Sequence, residues 1–192
     1  GENHIAIVAG ANGRVTPDYA RRHGDRLRDT DCLLVQNELP AEATLAALDE
    51  VSGVENRPTV VYDPAPADGA TAVLGHDAVD VVTPNESEAA ALADALDTFD
   101  GTVVRTLGER GVVVEDGDDE FHVDAPAVDP VDTTGAGDVF AGYLATGFGE
   151  GAALPHAVEL AAIAGALSTT VEGVQTAVPA REQVLDVADR RD

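Results

Sequence analysis

The chain has 192 residues, 36 of them acidic against 11 arginines and no lysine, for a formal charge of −25. That charge opposes contact with nucleic acid or an anionic membrane, and without lysine no P-loop can be built. A hydrophobic content of 44% argues against an acidic disordered segment and for one packed domain, residues 1–192. Asp outnumbers Glu, and Met and Trp are absent. This composition fits adaptation to high salt, because at about 1 M the Debye length is about 3 Å and surface carboxylates cease to repel one another.

Residues 5–9 read as a strand. Thr16-Pro17-Asp18 is an N-cap followed by proline at the first helical position, which predicts a helix to about Arg28. Residues 32–36 form a short apolar run of the buried parallel-strand type. It opens on Cys32, the single cysteine, which can form no intrachain disulfide and suits a reducing cytosol. A helix is predicted at 41–51, a strand at 59–62, a Pro/Ala loop at 63–68, a strand at 79–83 and a helix at 86–96. Strands at 102–106 and 112–115 flank a Gly108–Gly111 turn, and an Asp-rich hairpin at 116–119 leads to a further strand containing Phe121 and Val123. Helices close the chain at 138–148, 155–170 and 180–189. Strands alternating with helices, several of them continuously apolar, predict an α/β three-layer α-β-α sandwich with a mostly parallel sheet. No run is long enough for a membrane span and no signal peptide is visible. The start at Gly1 instead of Met predicts a fragment or a processed chain.

Ligands in such sheets bind beyond the carboxyl ends of the strands. Glu38, Asp63, Asn85 and the Gly108 loop all follow strand ends. The most informative stretch is Asp132-Thr133-Thr134-Gly135-Ala136-Gly137-Asp138, which opens an apolar helix. Small residues let backbone amides approach a ligand closely, and a helix N-terminus favours anions. A carboxylate there can take a proton from a hydroxyl while the amides hold a phosphate. The same residues also make an ordinary capping turn. Asn85 and Glu88, three apart at a helix start, can share one face or form a capping box. The histidines at 4, 23, 76, 122 and 156 make no zinc-ligand spacing.

The 132–138 segment, Asn85-Glu86-Ser87-Glu88 and Thr106-Leu107-Gly108-Glu109-Arg110-Gly111 together resemble the ribokinase family of carbohydrate kinases. Gly10-Ala11-Asn12, Gln36-Asn37-Glu38-Leu39-Pro40, Asp63-Pro64-Ala65-Pro66-Ala67 and 173–179 resemble its ribose-phosphorylating branch. The resemblance runs the length of the chain. It implies an ATP-dependent, cytoplasmic sugar kinase that moves the γ-phosphoryl group to a primary hydroxyl, making ribose 5-phosphate from ribose. Other acceptors of the family are 2-keto-3-deoxygluconate, fructose and nucleosides.

In that family Asp138 would be the general base, and Gly135, Ala136 and Gly137 the cradle for the transferring phosphoryl group. Asn85, Thr106, Gly108, Arg110, Gly111, Gly137 and Ala162 would border the nucleotide, with Ala162 small and apolar where relatives are often polar. Glu88 would serve Mg²⁺ through water, and Glu38 and Asp138 the sugar. Asp132, Thr134, Ser168, Val171, Gly173 and Ala177 would surround K⁺, although Ala177 departs from a Ser common in the family. The resemblance begins inside the family pattern. It implies that the first third and most of the lid are missing, with 1–13 a lid remnant, and that the full-length form is a homodimer. A catalytically silent nucleotide-binding or structural fragment is the competing reading.

Overall fold

In the computed structural model, which describes residues 9–191, the chain alternates helix and strand as its apolar pattern demands. Residues 5–8 of the expected strand and most of the lid remnant at 1–13 lie outside the described residues; Asn12–Arg14 form a 3-10 turn at their edge. Thr16 caps α1 (Pro17–Arg22), its side chain accepting from the Tyr19 amide. The expected single helix then breaks at His23 and resumes as α2 (Gly24–Arg28). Gly24 faces the Glu50 carboxylate, which pairs with Arg28, so a side chain here would collide with that pair.

β1 (Cys32–Gln36), α3 (Ala41–Val51) and β2 (Thr59–Asp63) fall where the sequence places them. A one-turn helix, α4 (Thr71–Leu74), follows the proline loop and buries Val73 and Leu74. β3 is only Val81–Val82, shorter than the apolar run predicts. The predicted 86–96 helix is two pieces, α5 (Glu86–Ala91) and α6 (Ala93–Leu96), which meet at buried Leu92. β4 (Thr102–Thr106), β5 (Val112–Asp116) and β6 (Asp119–Val123) are followed by α7 (Ala136–Gly149), α8 (Leu154–Ser168) and α9 (Arg181–Ala188).

The six strands lie in chain order, β1 to β4 parallel and β5 and β6 antiparallel. In β2 to β4 consecutive residues point to opposite faces, and both faces are covered, which is why these strands read as unbroken apolar runs. Val60, Tyr62, Val82 and Val103 pack with Leu48, Val51, Val73 and Leu74 on one side. Val61, Val81, Val104 and Val114 pack with Phe140, Leu144, Val158 and Ala161 on the other. α9 adds Val184 and Ala188 to the outer side of α7 and α8. Among the described residues no helix is long and apolar enough to cross a membrane.

Candidate active site

The carboxyl ends of β2, β3 and β4 and the mouth of α7 enclose a cleft of about 170 Å³. Its walls bring together Asp63, Thr83, Asn85, Glu88, Thr106 and Gly135 to Asp138, with Phe140 at the base of the helix. A larger concavity of about 390 Å³ between the end of α8 and α9 has a mixed lining that includes Val171, Thr176, Gln183, Asp186 and Arg190, none of which lines the first cleft.

Gly135 is the hinge on which the mouth of α7 turns. It sits in the left-handed region at φ 78°, and a Cβ there would come within 2.5 Å of Val174 Cγ1. The Ala136 amide is engaged in a turn bond to the Thr133 carbonyl at 3.3 Å, whereas the Gly135, Gly137 and Asp138 amides donate to no other described residue. A Cβ on Gly137 would meet nothing within 4 Å, so the first turn of the helix is open to the cleft. Of the turn's amides, those of Gly135, Gly137 and Asp138 are therefore the ones open to a ligand, rather than that of Ala136.

Asp138 is exposed, yet its carboxylate is not free: Oδ1 accepts from Gln36 Nε2 at 2.6 Å. Oδ2 lies on the glycine side, 3.7 Å from where a Gly135 Cβ would stand. The Gln36 amide also reaches Asp63 Oδ2 at 3.3 Å, and Asp63 Oδ1 accepts from the Ala65 amide. Burial pushes the Asp63 carboxyl up to about 6; the nearby Glu88 and Asp138 carboxylates push the same way, against the Gln36 and Ala65 hydrogen bonds.

Asn85 and Glu88 make a complete capping box: Asn85 Oδ1 accepts from the Glu88 amide at 2.9 Å, and Glu88 Oε2 from the Asn85 amide at 2.8 Å. Both also line the cleft, so the cap leaves Glu88 Oε1 available. Among the described residues no three His, Cys, Asp or Glu side chains are placed to hold a metal ion directly. A cation in this cleft would be held through water and ligand oxygens, as suits Mg²⁺.

The 132–134 and 168–173 segments are stitched together. Asp132 accepts from the Thr134 amide at 3.0 Å and the Gly173 amide at 3.2 Å, and the Val131 and Asp132 amides donate to the Thr169 carbonyl. These amides hold the Asp132 carboxyl below the ordinary carboxylate range. The expected cation ligands Asp132, Thr134 and Gly173 are thus neighbours. Ser168 is buried and donates to the Gly165 carbonyl, and Val171 and Ala177 face the larger concavity.

Not every expected residue reaches the cleft. Ala162 is buried in the core with Phe140 and Leu144 and is not among the residues lining the cleft. Glu38 is exposed and accepts from Asn12 at 3.3 Å. Gly108 and Arg110 lie on the exposed 3-10 turn Gly108–Arg110 after β4, with Arg110 paired to Glu86 at 2.6 Å. Gly111, at φ 87°, packs against the Val123 carbonyl, where a side chain would collide. The sequence placed Asp63 at the ligand edge of the sheet without giving it a role and did not single out Gln36, although a polar residue closing each of two apolar strands was the available signal.

Residues 1–181 match the pfkB family carbohydrate kinases. The chain belongs to that family. It is 35% identical over 189 residues to the ribokinase of Lactococcus lactis, covering 95% of this chain and 62% of that protein. The solved ribokinase of Thermotoga maritima superposes with a TM-score of 0.87 at 33% identity, covering 98% of this chain and 66% of that one. Arabidopsis thaliana ribokinase, solved with ribose and ATP, gives 0.86 at 28% identity, covering 97% and 65%. This pfkB chain therefore spans a little under two thirds of the length of these relatives.

Proposed function

We propose that the chain is the phosphoryl-transfer part of an ATP-dependent sugar kinase that makes ribose 5-phosphate from ribose. The observation that carries this reading is the open first turn of α7 with a tethered carboxylate beside it. Asp138 takes the proton of the sugar hydroxyl as its oxygen bonds to the γ-phosphorus. The bond to the β-phosphate oxygen breaks and ADP leaves. The Gly135, Gly137 and Asp138 amides, with Ala136 in the same turn, stabilise charge on the transferring group. Removing one such donor typically costs about 2.7–4 kcal/mol of barrier. Asn85, Thr106, Gly108, Arg110 and Gly111 border the nucleotide, and Glu38 contacts the sugar.

The cleft lining holds Asp63, Glu88 and Asp138 and no cationic side chain. Polyphosphate enters such a site only with its charge offset, which fits a requirement for Mg²⁺ held through water by Glu88. Mg²⁺ when bound neutralises the phosphate oxygens. Asp132, Thr134 and Gly173, with the backbone of Ser168, Val171 and Ala177, offer the hard oxygens a K⁺ ion favours. Ribose as acceptor is supported by the names of the relatives.

ADP release by this chain in molar KCl, with ribose, fructose, 2-keto-3-deoxygluconate or a nucleoside, tests the reading. Ribose-dependent release, reduced when NaCl replaces KCl, is expected. Equal background with every acceptor would favour the silent-fragment reading instead.

A further inference from the structure

Gln36 and Asp63 are register partners at the carboxyl ends of β1 and β2, so their side chains leave the sheet edge on the same face. Asp138 reaches that edge from α7, 102 residues away in the chain from Gln36. One carboxamide nitrogen serves both acids, Asp138 Oδ1 at 2.6 Å and Asp63 Oδ2 at 3.3 Å. Because both neighbours are carboxylate oxygens, only the amino end of the Gln36 amide can face them. Asp138 is exposed at the first turn of its helix, and among the described residues this is its only side-chain hydrogen bond. Without it the carboxylate would turn about its side-chain torsions. With it, Oδ1 is occupied and Oδ2 is left on the Gly135 side, next to the open amides.

We propose that Gln36 is the positioning residue of the proton-accepting step: its amide fixes Asp138 so that Oδ2 is the oxygen that takes the acceptor proton. This rests on the reading of Asp138 as general base. The role differs from a structural one because the Gln36 side-chain amide hydrogen-bonds, among the described residues, only the Asp63 and Asp138 carboxylates, neither of which is assigned to the nucleotide, so its removal should spoil the alignment of the base and leave nucleotide affinity intact.

The test uses the 192-residue chain with Gln36→Met and Gln36→Leu, two apolar replacements suited to a half-buried strand end. Expected is a fall in kcat of roughly 10- to 100-fold with an unchanged KM for ATP, alongside a small fall in melting temperature from the hydrogen bond lost to buried Asp63. In parallel, the side-chain amide protons of Gln36 are followed by ¹H–¹⁵N spectroscopy. One of them should stand downfield in the native chain and move upfield in Asp138→Ala. A native kcat in both apolar variants overturns the proposal. If the native chain forms no more ADP than Asp138→Asn, the kinase reading fails on its own. The spectrum then decides about Gln36: a resonance that Asp138→Ala does not move overturns the pinning, and one that moves supports it.

Discussion

Asp63 is a carboxylic acid buried at the end of β2. Its carboxyl is raised from 3.8 to about 6, chiefly by burial. The folded chain therefore binds this proton more tightly than the unfolded chain. The sign follows: Asp63 makes stability fall as pH rises between about 4 and 6, and the penalty is complete above that window. Relative to the native chain, Asp63→Asn should gain about 2–3 kcal/mol across the window and then level off. Any fixed cost of turning the Gln36 amide to meet the new side chain does not alter that slope. Urea unfolding at pH values from 4 to 7.5 reads it directly, and a pH-independent difference would show that the acid is not desolvated. Asp63 was legible as a strand-end acid on the ligand edge, but the roles of Asp63 and Gln36 were not. A sequence shows that each closes an apolar strand, but their importance comes from Asp138, brought over by a helix far along the chain. The turn that presents Asp138 was legible, because its glycines and its helix are local.

The mouth of α7 separates two glycines that look equivalent in the sequence. Gly135 is held at positive φ and abuts Val174, so Gly135→Ala should cost about 1–2 kcal/mol of stability and lower turnover. Gly137 lies in the first helical turn with open space where a Cβ would stand. Gly137→Ala should leave stability unchanged or raise it by about 0.5–1 kcal/mol, yet obstruct phosphate approach and lower turnover. Thermal melts paired with ADP-release assays distinguish the two; a Gly137→Ala chain of native activity would remove the amides of this turn from the site. Elements with a strong local signal fall where the sequence puts them: β1 and α3 match to the residue. The misses have tertiary causes. The helix that breaks at His23 resumes on a glycine set against the Arg28–Glu50 pair, and the 86–96 helix divides where Leu92 enters the core.

On the scale of the whole molecule, charge dominates. Arg21, Arg28, Arg57, Arg105, Arg110, Arg181 and Arg190 are each paired with an acid, yet 36 carboxylates face only 11 arginines. Most acids have no cation to meet, and their repulsion weakens as salt shortens the Debye length from about 10 Å at 0.1 M to about 3 Å at 1 M. The melting temperature should rise steadily from low to molar KCl, by about 2–4 °C for each kcal/mol of repulsion relieved. A flat or falling curve would mean the acidic surface is not a salt adaptation. On the proposed reading, the same excess leaves backbone amides and cations to receive phosphate in the cleft and puts the weight of the chemistry on Asp138 and the turn before it. Transfer of labelled γ-phosphoryl from ATP to ribose, compared between the native chain and Asp138→Asn, tests this most directly. Transfer by the native chain and its near-complete loss in Asp138→Asn, with ADP affinity unchanged, is the expected result; equal transfer by both would contradict it.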